Sequence, residues 1–166
     1  MQKKDIICQM PFYGMDITPE QKFAPCCKFA TFETLEESDS KDPFYSSLWE
    51  DARKNIIAGK PVSNCSACYE AEANGEYSVR KRFLDMYKNM FGTEFDPNST
   101  TPVLRSVNIA FSNLCNNSCR MCNARFSTSW YKDAERLGWK IPKGKVSYKE
   151  LIERIDFSEI YLVHFT

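Results

Sequence analysis

The 166-residue chain contains a single histidine, His164, and only six glycines. One imidazole cannot build a zinc site of two cysteines and two histidines, and it leaves little material for a hydrolase triad. The glycines are scattered, so no Gly-rich phosphate loop can be drawn through them. An excess of either charge is also missing, since 22 Lys and Arg balance 22 Asp and Glu. No net field therefore recruits nucleic acid or an anionic membrane. No apolar run approaches the ~18 residues of a membrane-spanning helix. The apolar part of the segment from Met1 to Cys8 is too short for a signal peptide. Together these absences predict a soluble, cytoplasmic chain.

Cysteine is what the sequence has in excess. Eight occur: Cys8, Cys26, Cys27, Cys65, Cys68, Cys115, Cys119 and Cys122. In a reducing compartment such a set binds metal more often than it forms disulfides, and an extracellular disulfide framework would need a targeting segment.

Three segments separate by composition. Residues 1–92 carry five of the cysteines, residues 93–102 form a polar, Pro-bounded linker, and residues 103–166 carry the other three. In the first segment, Phe12 to Ile17 and Lys22 to Lys28 flank Thr18-Pro-Glu-Gln21, which predicts a β-hairpin with Pro19 at the first central turn position. Ser47-Leu-Trp-Glu50 has the form of a capping box and opens a helix to Ala58, with Leu48, Ala52 and Ile56 on its apolar face, helped by Trp49 and Ile57. A second helix begins at Ser78, places Val79, Phe83, Met86, Tyr87 and Met90 on one stripe, and stops at Gly92. The acidic stretch from Glu33 to Asp42 is expected to be solvated.

In the last segment, Val107, Ile109 and Phe111 alternate with Asn108, Ala110 and Ser112 as a strand requires. A helix is expected through Trp130, Ala134 and Leu137, a second through Leu151, Ile152 and Ile155 behind the capping box Ser147-Tyr-Lys-Glu150, and a strand from Ile160 to Phe165. Strand, helices and strand predict a parallel β/α unit.

Cys115-Asn-Asn-Ser-Cys119-Arg-Met-Cys122 follows directly on the first of these strands. Three thiolates in one tight loop can ligate three irons of a [4Fe–4S] cube and leave the fourth iron open, which distinguishes a reactive site from a structural one. The segment Phe111-Ser-Asn-Leu-Cys-Asn-Asn-Ser-Cys-Arg-Met-Cys122 resembles the signature of the radical S-adenosylmethionine (SAM) superfamily. That resemblance implies a partial TIM-like (β/α)6 barrel beginning at residue 103. It also implies a cluster held by Cys115, Cys119 and Cys122, with SAM chelated to its open iron. SAM would be cleaved reductively to a 5′-deoxyadenosyl radical that abstracts hydrogen from a peptide, sugar or small-metabolite substrate. An electron donor such as flavodoxin or ferredoxin is implied as partner. Met121 stands where most members carry an aromatic residue, and the implied adenine contact there is through its backbone.

The earlier cysteines have a pattern of their own. Cys8, Pro25-Cys26, then Cys65-Ser-Ala-Cys68 after a helix resembles the Twitch and SPASM auxiliary-cluster modules, here placed before the barrel rather than after it. The resemblance implies a small α+β domain, hairpin plus helices, in which Cys8, Cys26, Cys65 and Cys68 hold a second [4Fe–4S] cluster. Spacing alone leaves open a zinc module with four cysteine ligands, and with it a non-enzymatic electron-transfer or interaction protein. The Gly-Gly-Glu type motif that holds the SAM amino group in that family would begin near Thr166. The chain is therefore expected to be an N-terminal fragment, weakly active or inactive alone. Arg80, Arg82, Arg105, Arg120 and Arg125 lie near the cysteines in sequence.

Cys26 and Cys27 are neighbours, and successive strand side chains face opposite ways. Cys26 is assigned to the metal, so Cys27→Ser should retain the first-segment metal and Cys26→Ser should lose it, read as metal content after anaerobic reconstitution. The exchanged result would show that the strand register is off by one residue.

Overall fold

Pro19 fixes the backbone for a tight turn, Gln21 N–H donates to Thr18 O at 2.9 Å, and Gln21 takes the left-handed conformation (φ 58°) that closes a three-residue hairpin loop. The turn joins β1 (Gly14–Ile17) to β2 (Phe23–Ala24), paired antiparallel with Asp16 opposite Ala24. The computed structural model describes residues 6–139, 141 and 149–165. Both strands are shorter than the alternation predicts. Phe12 and Tyr13 belong to a one-turn helix, α1 (Met10–Tyr13), with Pro11 in its first turn. After Ala24, Pro25 ends the second strand, because it has no N–H to give to the ladder.

Among the described residues, five α-helices follow α1. In α2 (Ser47–Ile57), Trp49, Ala52, Arg53 and Ile56 are buried, a stripe at helical spacing; Ile57 is exposed, contrary to expectation. The helix is entered from Ser46, not Ser47. Ser46 donates its hydroxyl to Glu33 at 2.9 Å, while Asp39 accepts from the Ser47 N–H at 2.9 Å. The acidic stretch therefore caps helices instead of only facing water. A helix that the periodicity did not announce, α3 (Ser66–Ala73), follows Cys65 directly. In α4 (Val79–Phe91), the Ser78 hydroxyl accepts from Lys81 N–H at 3.1 Å, and Gly92 ends the helix at φ 70°. Val79, Phe83, Met86 and Tyr87 of its stripe are half-buried, whereas Met90 is exposed.

The strand β3 (Ser106–Ile109) pairs in parallel with β1, Gly14 against Ser106 through Ile17 against Ile109. After a loop, α5 (Tyr131–Arg136) and α6 (Lys149–Arg154), the strand β4 (Leu162–Phe165) pairs in parallel with the other edge of β3. The expected parallel β/α unit is thus present, in an α+β structure whose mixed sheet has the order β2-β1-β3-β4. The Ser147 capping box lies outside the described residues. The sheet crosses the expected boundary between residues 1–92 and 103–166. The intervening stretch is no free linker either: Phe95 is buried against Phe12, Tyr13 and Tyr87, with centroids 5.3 to 5.8 Å apart.

One face of the sheet is apolar. Met15, Ile17, Val107 and Ile109 pack with Phe23, Phe44, Trp49, Leu151 and Ile155. A second cluster gathers Cys8, Met10, Phe12, Ala52, Ile56 and Phe95, with Cys26 and Cys65 at its margin. The helix α2 serves both clusters. Trp49 is fully buried and its indole N–H donates to Gly14 O at 3.2 Å. Arg53 donates to Pro11 O at 2.6 Å and Phe44 O at 2.7 Å and lies over the Phe44 ring. Trp49→Ala should cost about 3–5 kcal/mol, read from urea denaturation; a loss below ~1 kcal/mol would show that Trp49 does not anchor the first cluster.

Candidate metal centre

Four of the first-segment cysteines arrive on three separate pieces of chain. Cys8 precedes α1, Cys26 follows β2, Cys65 stands at the start of α3 and Cys68 lies in its first turn. The C-x2-C spacing spans a helix start, so Cys65 and Cys68 are brought to one side of it. Gly14 permits the approach of Cys26. A Cβ at residue 14 would stand 2.9 Å from Pro25 O, a backbone atom that could move only with Cys26.

Cys8, Cys26, Cys65 and Cys68 line one cavity, together with Lys28, Val79, Arg80 and Phe83. Cys27 does not line it and is exposed. The structure thus separates Cys26 from Cys27 as expected, but for another reason. Both lie past the end of β2, in the turn that follows Pro25, so strand alternation does not govern them. All eight cysteines are free thiols.

The cavity is narrow, about 10 Å³, which is the room of about one water molecule. The four thiols surround it without converging. Among the described residues, no group of three or more His, Cys, Asp or Glu side chains is close enough to hold a metal ion as arranged. Four soft sulfur donors with no competing oxygen ligand are nevertheless the donor set that zinc or an iron–sulfur cluster takes. Loading would require the thiols to converge on the metal.

Electrostatics favour the neutral thiols in the metal-free state. Burial pushes Cys8 up to about 12, with Cys65 and Cys68 adding to the effect, and burial and then Cys26 and Cys68 push Cys65 up to about 12. Cys26 is raised by burial and by Cys8. A metal must therefore displace protons on entry.

The second cysteine group has a different setting. Cys115, Cys119 and Cys122 lie in the loop that leaves the C-terminal end of β3; Cys119 is exposed and the other two are half-buried. The backbone N–H of Asn117 points to the Cys115 sulfur at 3.4 Å. Three hydroxyls that the sequence did not single out fasten this loop. Ser127 donates to Asn117 O at 2.8 Å, Ser129 donates to Cys115 O at 2.7 Å, and Thr128 accepts from Cys115 N–H at 3.3 Å. The run Ser127-Thr128-Ser129 just before a helix was the available signal. Met121 is 98% exposed, so its backbone is free to meet a ligand.

A larger cavity of about 240 Å³ lies on the polar face of the sheet. A cross-strand row, Asp16 beside Asn108 beside His164, forms part of its floor, and Asn108 donates to Asp16. Burial raises the Asp16 carboxyl, against the Asn108 hydrogen bond and the Arg125 charge. Val79, Arg82, Phe83 and Met86 of α4 and both Cys26 and Cys27 are among the other lining residues. Of the other arginines, Arg105 lies over the Tyr13 ring, Arg125 pairs with Glu20 at 3.6 Å and Arg120 is exposed.

Compared with known proteins, the chain matches no family model, no curated protein and no solved structure.

Iodoacetamide reacts with thiolate, and a thiol held near 12 presents about one part in ten thousand of it at pH 8. In metal-free protein at that pH, Cys8 and Cys65 should alkylate at least tenfold more slowly than Cys119, and their rates should climb with pH towards 12. Mass spectrometry of the labelled peptides reads this directly, and equal rates would contradict the enclosed cavity.

Proposed function

We propose that this chain is part of a radical SAM enzyme, with a SAM-binding [4Fe–4S] cluster on Cys115, Cys119 and Cys122 and an auxiliary [4Fe–4S] cluster on Cys8, Cys26, Cys65 and Cys68. The observation that carries the reading is the position of the C-x3-C-x2-C loop. It leaves the C-terminal end of β3, a strand with parallel neighbours on both sides. Sites in parallel sheets form beyond the carboxyl ends of the strands, where loops converge on ligands.

Such a cluster, when bound with SAM, supplies one electron that breaks a sulfonium carbon–sulfur bond, giving methionine and a 5′-deoxyadenosyl radical able to take hydrogen from a substrate. The protein's part is positioning. Ser127, Thr128 and Ser129 hold the loop carbonyls, and Cys115, Cys119 and Cys122 would hold the cluster. Met121 offers its backbone to the adenine. The 240 Å³ cavity, which shares Cys26, Val79 and Phe83 with the four-thiol cavity, is the place for a substrate. A flavodoxin or ferredoxin would supply the electron. No helix among the described residues is long and apolar enough to cross a membrane.

A second reading is favoured by the narrowness of the four-thiol cavity. A single zinc ion needs less room than a cube, and the first segment would then be a structural zinc module.

Anaerobic reconstitution should give about eight irons per chain with visible charge-transfer absorption. Replacing Cys115, Cys119 and Cys122 together by alanine should halve the iron. One zinc and four irons would establish the second reading, and stoichiometric zinc with no iron would overturn the first altogether.

A further inference from the structure

Arg80 is 4% exposed and lines the four-thiol cavity, yet it is not one of the thiols and nothing in its sequence context marks it. Each of its three guanidinium nitrogens donates a hydrogen bond. Nη1 donates to Ile7 O at 2.7 Å, Nε donates to Glu72 Oε1 at 2.9 Å, and Nη2 donates to Glu72 Oε2. Ile7 adjoins Cys8 in the chain, and Glu72 lies one helical turn beyond Cys68 on the same face of α3. One side chain on α4 thus fastens the two segments that carry three of the four thiols, Cys8 on one and Cys65 and Cys68 on the other. The Ser78 hydroxyl gives Glu72 a further hydrogen bond, and Lys81 lies 4.0 Å from the same carboxylate.

The pair also has an electrostatic consequence. A [4Fe–4S] cube of formal charge 2+ on four thiolates carries about −2 overall and about −3 after one-electron reduction. A cation fixed at the cavity wall favours the more negative form, and an anion close behind it opposes that form.

We propose that Arg80 and Glu72 form a charge pair that positions the four-thiol site and sets its affinity for metal and its reduction potential, in opposite senses. Arg80 stabilises the anionic, metal-loaded and reduced states, and Glu72 limits that stabilisation. The proposal rests on the reading that these four thiols hold metal, and its measurements separate the two.

The test uses the full chain with Cys115, Cys119 and Cys122 replaced by alanine, so that one cluster remains. Arg80→Gln and Glu72→Gln are compared with this parent after anaerobic reconstitution. Each is titrated with dithionite, which supplies the electron, and followed by electron paramagnetic resonance. Arg80→Gln should disfavour reduction at least tenfold, about 59 mV more negative for a one-electron couple. Glu72→Gln should shift the midpoint the other way. A purely structural role would weaken the site in both variants without opposite shifts, so shifts of the same sign, or none, overturn the proposal.

Cobalt(II) binding to the metal-free proteins, followed through its thiolate absorption, gives a second reading. Affinity should fall at least tenfold in Arg80→Gln and should be unchanged or higher in Glu72→Gln. If the parent binds cobalt but no iron, the cluster reading fails and the cobalt order alone decides the charge pair. A parent that binds neither overturns both. If Arg80→Gln does not fold, the sign of the Glu72→Gln shift decides.

Discussion

Backbone pairing of Gly14 to Ile17 with Ser106 to Ile109 holds together segments that the sequence places 92 positions apart. A closure of that length is entropically costly, and parallel pairing offers no tight turn to offset it. What offsets it is burial. Met15, Ile17, Val107 and Ile109 present one apolar face, and Trp49, Phe44, Leu151 and Ile155 cover it. Everything functional hangs from this join. The hairpin that delivers Cys26 is one side of it, and the loop with Cys115, Cys119 and Cys122 leaves the end of the other.

The four-thiol cavity shows how a small domain can keep a polar centre inside an apolar cluster. Burial keeps the Cys8 thiol neutral, so in the metal-free protein it packs as a small hydrophobe beside Phe12, Phe29 and Val62. Two buried cations nearby are handled differently. Arg53 donates to carbonyls, with burial lowering it to about 10 and leaving it charged at neutral pH. Arg80 is paired with Glu72; burial works against that carboxylate's charge, and hydrogen bonds from Arg80 and Ser78 hold it below the usual range all the same. The first is a bolt between helices, whereas the second faces the thiols.

Cys26 stands in the wall between two cavities, with the other three thiols on one side and the row Asp16, Asn108 and His164 on the other. The polar side of the sheet therefore adjoins the four-thiol cavity through Cys26. Asn108 satisfies Asp16 across the strands, which lets a carboxyl persist at a largely buried position.

The helices α2 and α4, the hairpin turn and the parallel pairing of β3 with β4 were legible from local signals: apolar periodicity, Ser78 and Gly92 at the ends of one helix, Pro19 in a turn. So was the C-x3-C-x2-C loop, because its thiols are close in the chain. The strand from Lys22 to Lys28 was read too long, since Pro25 ends pairing even where apolar residues continue. What sequence could not decide is anything that depends on distant partners. That β1 would pair with β3 and bind the two segments into one sheet follows from which faces can be buried together. That Arg80 would meet Ile7 and Glu72 follows from how α3 and α4 dock. Chain-local chemistry determined which residues could serve; only packing over 92 positions of separation decided which of them meet.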